Sequence, residues 1–103
     1  MRPVFWSDTA RRDYLEILRY IAADSPSAAE RVADAIEQAG DRLGEFATGR
    51  PGRLAGVYEK PVPRLPWIIA YALAGRADRE RVIVLRVIHA ARDWPEGEWP
   101  KDV

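Results

Sequence analysis

The sequence predicts a small α+β domain in which a helical hairpin lies on one face of a mostly antiparallel sheet, in the chain order β-α-α-β-β-β. Three observations predict it. Two consecutive stretches between Ala10 and Leu43 repeat apolar residues at the helical period, everything after Gly49 reads as strands separated by turns, and no helical stretch is left in the second half to carry parallel crossovers. With 103 residues the chain is long enough for one core, burying about 65% of its unfolded surface, and too short for two. Residues 1–95 are therefore expected to form a single domain, with 96–103 as a C-terminal tail.

Each element has its own signal. "RPVFW" at Arg2–Trp6 is short, β-prone and carries Pro3, which suits a first strand near an edge, and Ser7 stands where an N-cap would sit. In the first helix Ala10, Tyr14, Ile17 and Ile21 form the core-facing stripe, while Arg11, Arg12, Glu16 and Arg19 take other faces. Ser25-Pro26 restarts the chain with a capping hydroxyl and a proline at the first helical position. Ala29, Val32, Ile36, Ala39 and Leu43 repeat the stripe in a second helix, which Gly40 weakens and Gly44 is expected to stop. So short a connection makes the two helices antiparallel.

"GRPGRLAG" at Gly49–Gly56 is loop chemistry, and Pro61, Pro63 and Pro66 keep a strand near Val57–Val62 short or at an edge. "WIIAYALA" at Trp67–Ala74 and "VIVLRVIH" at Val82–His89, joined by the polar "GRADRE", are expected to be the central strands. The hairpin should cover one face of the sheet and leave the other partly bare. Strict alternation puts Val82, Val84, Arg86 and Ile88 on one face and Ile83, Leu85, Val87 and His89 on the other. The second set is more uniformly apolar and is expected to meet the helices. Arg86 is then expected on the uncovered face, as a snorkelling or acid-paired arginine or as an anchor for a target. His89 is either a satisfied, half-buried histidine or a proton donor in a site.

Composition excludes several chemistries. There is no cysteine and a single histidine, so a structural zinc site and disulfides are not expected, and neither is a cofactor. The N-terminus lacks the apolar stretch of a secretory signal and no run is long enough to span a bilayer, which leads to the expectation of a cytoplasmic protein without membrane contact. Net charge is zero but unevenly spread: residues 1–49 carry −3, residues 50–92 carry +6 and residues 93–103 carry −3. Fourteen of the sixteen basic residues are Arg, the fork-shaped donor that grips carboxylate or phosphate at two points.

The hairpin ending in "GRPGRLAGVYEKPV", then "PWIIAYAL", then "VIVLRVIHAARDWP" resembles the RelE/ParE superfamily of toxins from bacterial type II toxin–antitoxin pairs, across nearly the whole chain. The Gly-Arg-Pro-Gly-Arg loop, the Pro-aromatic-Ile-Ile-x-Tyr strand and the closing Leu-Arg-Val-x-His with its Arg-x-Trp carry the resemblance, together with their order. It implies a RelE/ParE-like fold and a toxin held inactive by a cognate antitoxin, with DNA contacted only indirectly through that antitoxin. An antitoxin segment of about 20–40 residues is expected in a groove bordered by the first helix and the sheet edge, touching Tyr14, Leu18, Trp67 and Tyr71.

The resemblance leaves two targets. RelE-like members cut messenger RNA on the ribosome by metal-free chemistry, in which clustered cations stabilise the developing charge and an acid protonates the leaving oxygen. Here Glu59 and Pro61 interrupt the second strand where such nucleases carry lysines, and Ile68 follows Trp67 where they carry an arginine. Arg92 matches a nuclease arginine, His89 lies close to a nuclease histidine, and Arg64 could compensate from its loop. ParE-like members poison DNA gyrase without known chemistry of their own, which asks only for anchors in a desolvated patch. Arg86, His89, Arg92, Trp94 and Trp99 are the candidates for that contact, although the tryptophans could instead fold back onto the core. Gyrase inhibition is the favoured expectation, the mRNA endonuclease is the alternative, and an inactive relative acting as antitoxin partner is the third reading.

Overall fold

The computed structural model describes residues 1–76 and 78–91. Along the chain run β1 (Val4–Trp6), α1 (Asp8–Ala22), α2 (Pro26–Glu45), β2 (Arg50–Pro51), β3 (Tyr58–Pro61), β4 (Trp67–Ala74) and β5 (Arg81–His89). The strands form one sheet in the order β1-β5-β4-β3-β2. Every ladder is antiparallel except that of β1, which lies parallel to β5. The architecture is the expected hairpin on a small sheet, with one addition: the glycine-rich loop contains the two-residue β2, paired to β3 through Arg50–Glu59 and Pro51–Tyr58.

The helices start where capping chemistry starts them. The Ser7 side chain accepts from Ala10 N at 3.0 Å and the Ser25 side chain from Ala28 N at 3.2 Å, each satisfying one orphan amide of a first turn. Gly44 does not stop α2, which runs through both glycines to Glu45. Those glycines serve close approach instead. A Cβ at Gly40 would lie 2.9 Å from Trp6 Cζ2, and one at Gly44 would lie 2.6 Å from the Arg2 carbonyl oxygen. The bare helix surface lets β1 pass against α2, and Arg2 N donates to Gly44 O at 2.8 Å.

Two apolar clusters flank the sheet. Ala10 and Ile17 of α1 and Ile36 and Leu43 of α2 pack with Ile69, Tyr71, Val82, Val84 and Val87. On the far face Ile68, Ala70, Ile83, Leu85 and Ile88 form a second cluster with Leu54 and Val57 from the loop before β3. Three expectations fall here. The far face is not bare, since all five of its cluster members are buried. The helices meet Val82 and Val84, and not Ile83 and Leu85. Nor does the alternation persist: Ala70 pairs with Arg86 but Tyr71 pairs with Val84, so Leu85 is an extra residue that shifts the phase of everything after it and turns Val87 to the helices. No helix among the described residues is long and apolar enough to cross a membrane.

Candidate functional site

The sequence directs attention to the end of the sheet where β5 finishes and β4 begins. Trp67 pairs with His89 across that end, and their rings meet edge to face at 5.1 Å between centroids. His89 Nδ1 accepts from Ala91 N at 3.1 Å, which leaves Nε2 to carry the proton of the neutral ring. Both rings line a hollow of about 260 Å³ between α1 and β5, closed by Asp13, Glu16 and Tyr20 from α1. Among the described residues no Lys or Arg lines it.

Beneath this α1–β5 hollow lies a buried ion pair. Arg86 Nε donates to Asp13 Oδ2 at 2.8 Å and Arg86 Nη2 to Asp13 Oδ1 at 2.9 Å, while Val87 N donates to Asp13 Oδ2 at 3.0 Å. Arg86 is 7% exposed. It is therefore the acid-paired arginine of the alternatives above, neither reaching solvent on an uncovered face nor offered to a target. Its partner is one the sequence reading missed. Asp13 sits on α1 between Ala10 and Ile17, at helical spacing within the buried stripe, and a buried carboxylate at that phase needs a cation or backbone donors.

A second hollow, of about 750 Å³, opens between α2 and β3. Ala35, Ala39 and Leu43 of α2 form its floor, with Arg42, Phe46, Thr48, Lys60, Pro63 and Arg64 around them. Lys60 Nζ donates to Thr48 Oγ1 at 2.9 Å. Arg64 is exposed and holds a left-handed backbone at φ 66°, the one non-glycine residue among those described to do so. No acidic residue lines this hollow among those described, and none of its three cations joins a described ion pair. The sequence carried a signal for it, since Ala35, Ala39, Arg42 and Phe46 follow one another at helical spacing. Glu59, read as an interruption of a cationic strand, is instead buried, and its Oε2 accepts from Arg53 N at 2.9 Å.

The third hollow, of about 620 Å³, lies where β1 meets the hairpin and is lined by Trp6, Arg11, Tyr14, Leu15, Glu37 and Asp41. Tyr14 meets Trp6 edge to face at 5.8 Å. Burial, reinforced by the charge of Glu37 and a hydrogen bond to it, pushes the Tyr14 phenol up from its ordinary value, so it stays a donor.

The candidate residues are thus spread out. Arg64 and His89 line different hollows, and Arg92, Trp94 and Trp99 lie outside the described residues. Of the four expected antitoxin contacts, Tyr14 lines the β1–hairpin groove, Trp67 lines the α1–β5 hollow and Leu18 is half-buried on α1. Tyr71 belongs to none of these surfaces. It is fully buried, stacks on Tyr58 at 5.6 Å and accepts from Gly49 N at 2.8 Å. The reason is its phase on β4, which places it beside Ile69 under the helices.

Comparison with known proteins agrees with this fold. The chain is 41% identical over 92 residues to the Y4kP protein of Sinorhizobium fredii, covering 88% of this chain and 91% of that one. It is 36% identical over 93 residues to Toxin RelE2 of Caulobacter vibrioides, covering 89% and 99%. A solved structure of the chromosomal ParDE TA system from P. aeruginosa superposes with a TM-score of 0.75 at 22% identity, covering 86% of this chain and 96% of that one. The family model of the ParE toxin of the parDE type II toxin–antitoxin system matches residues 4–94. With the helical hairpin, the mixed sheet and a match that spans all seven elements, the chain belongs to the ParE toxin family of type II toxin–antitoxin systems.

Proposed function

We propose that this toxin arrests growth by gripping a protein, DNA gyrase, and that a cognate antitoxin binds and neutralises it. The observation that carries the reading is the separation of His89 from Arg64 into different hollows. Metal-free RNA cleavage needs a proton donor and several cations around one phosphate. Here carboxylates and aromatic rings line the hollow of the histidine, and among the described residues no acid or histidine lines the hollow of the cations. Arg86 is already committed to Asp13. Gripping a protein requires no proton transfer, and Trp67, Tyr20 and His89 offer the kind of aromatic surface that interface hot spots use. Arg92, Trp94 and Trp99, which follow His89 in the chain, are proposed to take part in the same target contact. The antitoxin is proposed to take the groove of Trp6, Tyr14 and Leu15, where Leu15 is 49% exposed.

The test uses purified toxin. It should inhibit gyrase supercoiling or trap cleaved DNA, and primer extension on ribosome-bound message should show no new ends. Message cleavage together with undisturbed supercoiling would reverse the assignment. The double substitution Trp94→Ala with Trp99→Ala should relieve growth arrest while leaving antitoxin binding intact.

A further inference from the structure

The α2–β3 hollow is used by neither proposed contact, yet it is a built surface. Its floor of Ala35, Ala39 and Leu43 follows α2 at i, i+4 and i+8, a straight apolar track of the kind that receives side chains from a partner segment. Phe46 at its end is 67% exposed, although it directly follows a helix whose Ala29, Ile36 and Leu43 are buried. Arg42, Lys60 and Arg64 stand around the track without a described carboxylate partner. Arg64 holds φ 66° to stand there, a conformation disfavoured for any residue with a side chain and commonly retained at binding sites.

We infer that this hollow is a second docking site for the antitoxin, and that it takes an acidic segment carrying small or branched apolar residues. The inference rests on the antitoxin reading above. An acidic peptide answers both parts of the surface, with carboxylates on the three cations and apolar side chains on the track. A nucleic acid would answer only the charge, since Phe46 is the one aromatic ring lining the hollow among the described residues and base stacking would have little else to use. The reach is sufficient. A segment of about 20–40 residues spans about 30–60 Å as a helix, against molecular extents of 43 × 30 × 22 Å. It can therefore enter the β1–hairpin groove and still arrive at the other side of α2.

The test compares the full-length toxin with the triple variant Arg42→Glu, Lys60→Glu, Arg64→Glu. A control triple variant, Arg76→Glu, Arg79→Glu, Arg81→Glu, makes the same net change at exposed positions toward the other end of the β4–β5 hairpin. The binding partner is the protein encoded beside the toxin gene, titrated at several salt concentrations, with far-UV circular dichroism melts to confirm that each variant is folded. The hollow variant should lose about 10- to 100-fold in affinity and show a shallower salt dependence, while the control stays near wild type. Phe46→Ala, which changes no charge, should weaken binding without altering the salt slope. Equal losses in both triple variants, or unchanged binding in the hollow variant, overturn the inference. So does a neighbouring protein whose toxin-binding segment holds no cluster of Asp and Glu. A hollow variant that loses affinity for a short RNA or DNA duplex but keeps the antitoxin also overturns it. Failure of the wild-type toxin to bind its neighbour's product would instead remove the antitoxin reading itself.

Discussion

The α1–β5 and α2–β3 hollows flank the same helix-covered core and differ in nearly every physical respect. The first is small, aromatic and acidic, and beneath it lies the Asp13–Arg86 pair, with side chains only 10% and 8% exposed. The second is wide and cationic, and the chain beside it carries single hydrogen bonds in place of an ion pair, from the Lys60 ammonium to Thr48 and from the Gly49 amide to Tyr71. Residue types that a nuclease would combine thus fall into two hollows, His89 in one and Lys60 and Arg64 in the other.

Breaking the support under each hollow should separate the two regions sharply. Arg86→Ala leaves Asp13 buried with only the Val87 amide described as a remaining donor, and removing one partner of a buried pair costs about 3–5 kcal/mol. Urea unfolding followed by circular dichroism should register that loss, and a change below about 1 kcal/mol would mean the pair is worth no more than a surface contact. On the other side Tyr71→Phe removes one neutral bond to Gly49 and should cost only about 1 kcal/mol by the same measurement.

A smaller effect runs in the opposite direction. Arg64→Gly releases a left-handed backbone and should raise stability by about 0.5–1 kcal/mol, while weakening the antitoxin contact inferred for that hollow. If the variant melts below wild type, the conformation of Arg64 is supported by contacts that outweigh its strain.

Alkaline titration sharpens the comparison last. Burial raises the phenols of both Tyr14 and Tyr71, with the Gly49 hydrogen bond partly opposing the rise at Tyr71. A folded pKa above the unfolded one means that the stabilisation is complete below the ordinary phenol value, near pH 10, and is lost as pH climbs through the folded value. Stability should thus fall above about pH 10, and Tyr71→Phe should flatten the fall. An unaltered pH profile in that variant would assign the whole effect to other groups.

Most of the fold was legible because each element carries its own local signal. Ser7 and Ser25 cap as their chemistry dictates, the helical stripes repeat at 3.6 residues, and the prolines bound the short β3. What was illegible depended on contacts distant in sequence. The phase of β5 changes at Leu85, and an insertion of one residue into a ladder leaves no mark in an apolar run. Asp13 carries no mark of burial in the sequence, and Arg86, 73 positions away, supplies the reason for it. Gly44 read as a stop because glycine commonly follows the last turn of a helix, whereas its role is the space it leaves for β1. The charge block of residues 50–92 was visible, but that Lys60 and Arg64 would meet Arg42 across the α2–β3 hollow was not.

The parallel pairing of β1 with β5 has a consequence for when the toxin comes into being. Val4, Phe5 and Trp6 take their partners from Val82, Ile83 and Val84, Ser7 Oγ donates to the Leu85 carbonyl at 2.9 Å, and Asp13 seals the next amide along. β1 therefore waits for β5 to be synthesised before it can pair. At about 5–20 residues per second the N-terminus spends several seconds without its sheet, and in a product cut short before β5 the first strand lacks its pairing partner. Such a fragment should be cleared by proteases and should not be toxic. Closure of the sheet thus follows the synthesis of β5, and that interval is open to an antitoxin already present.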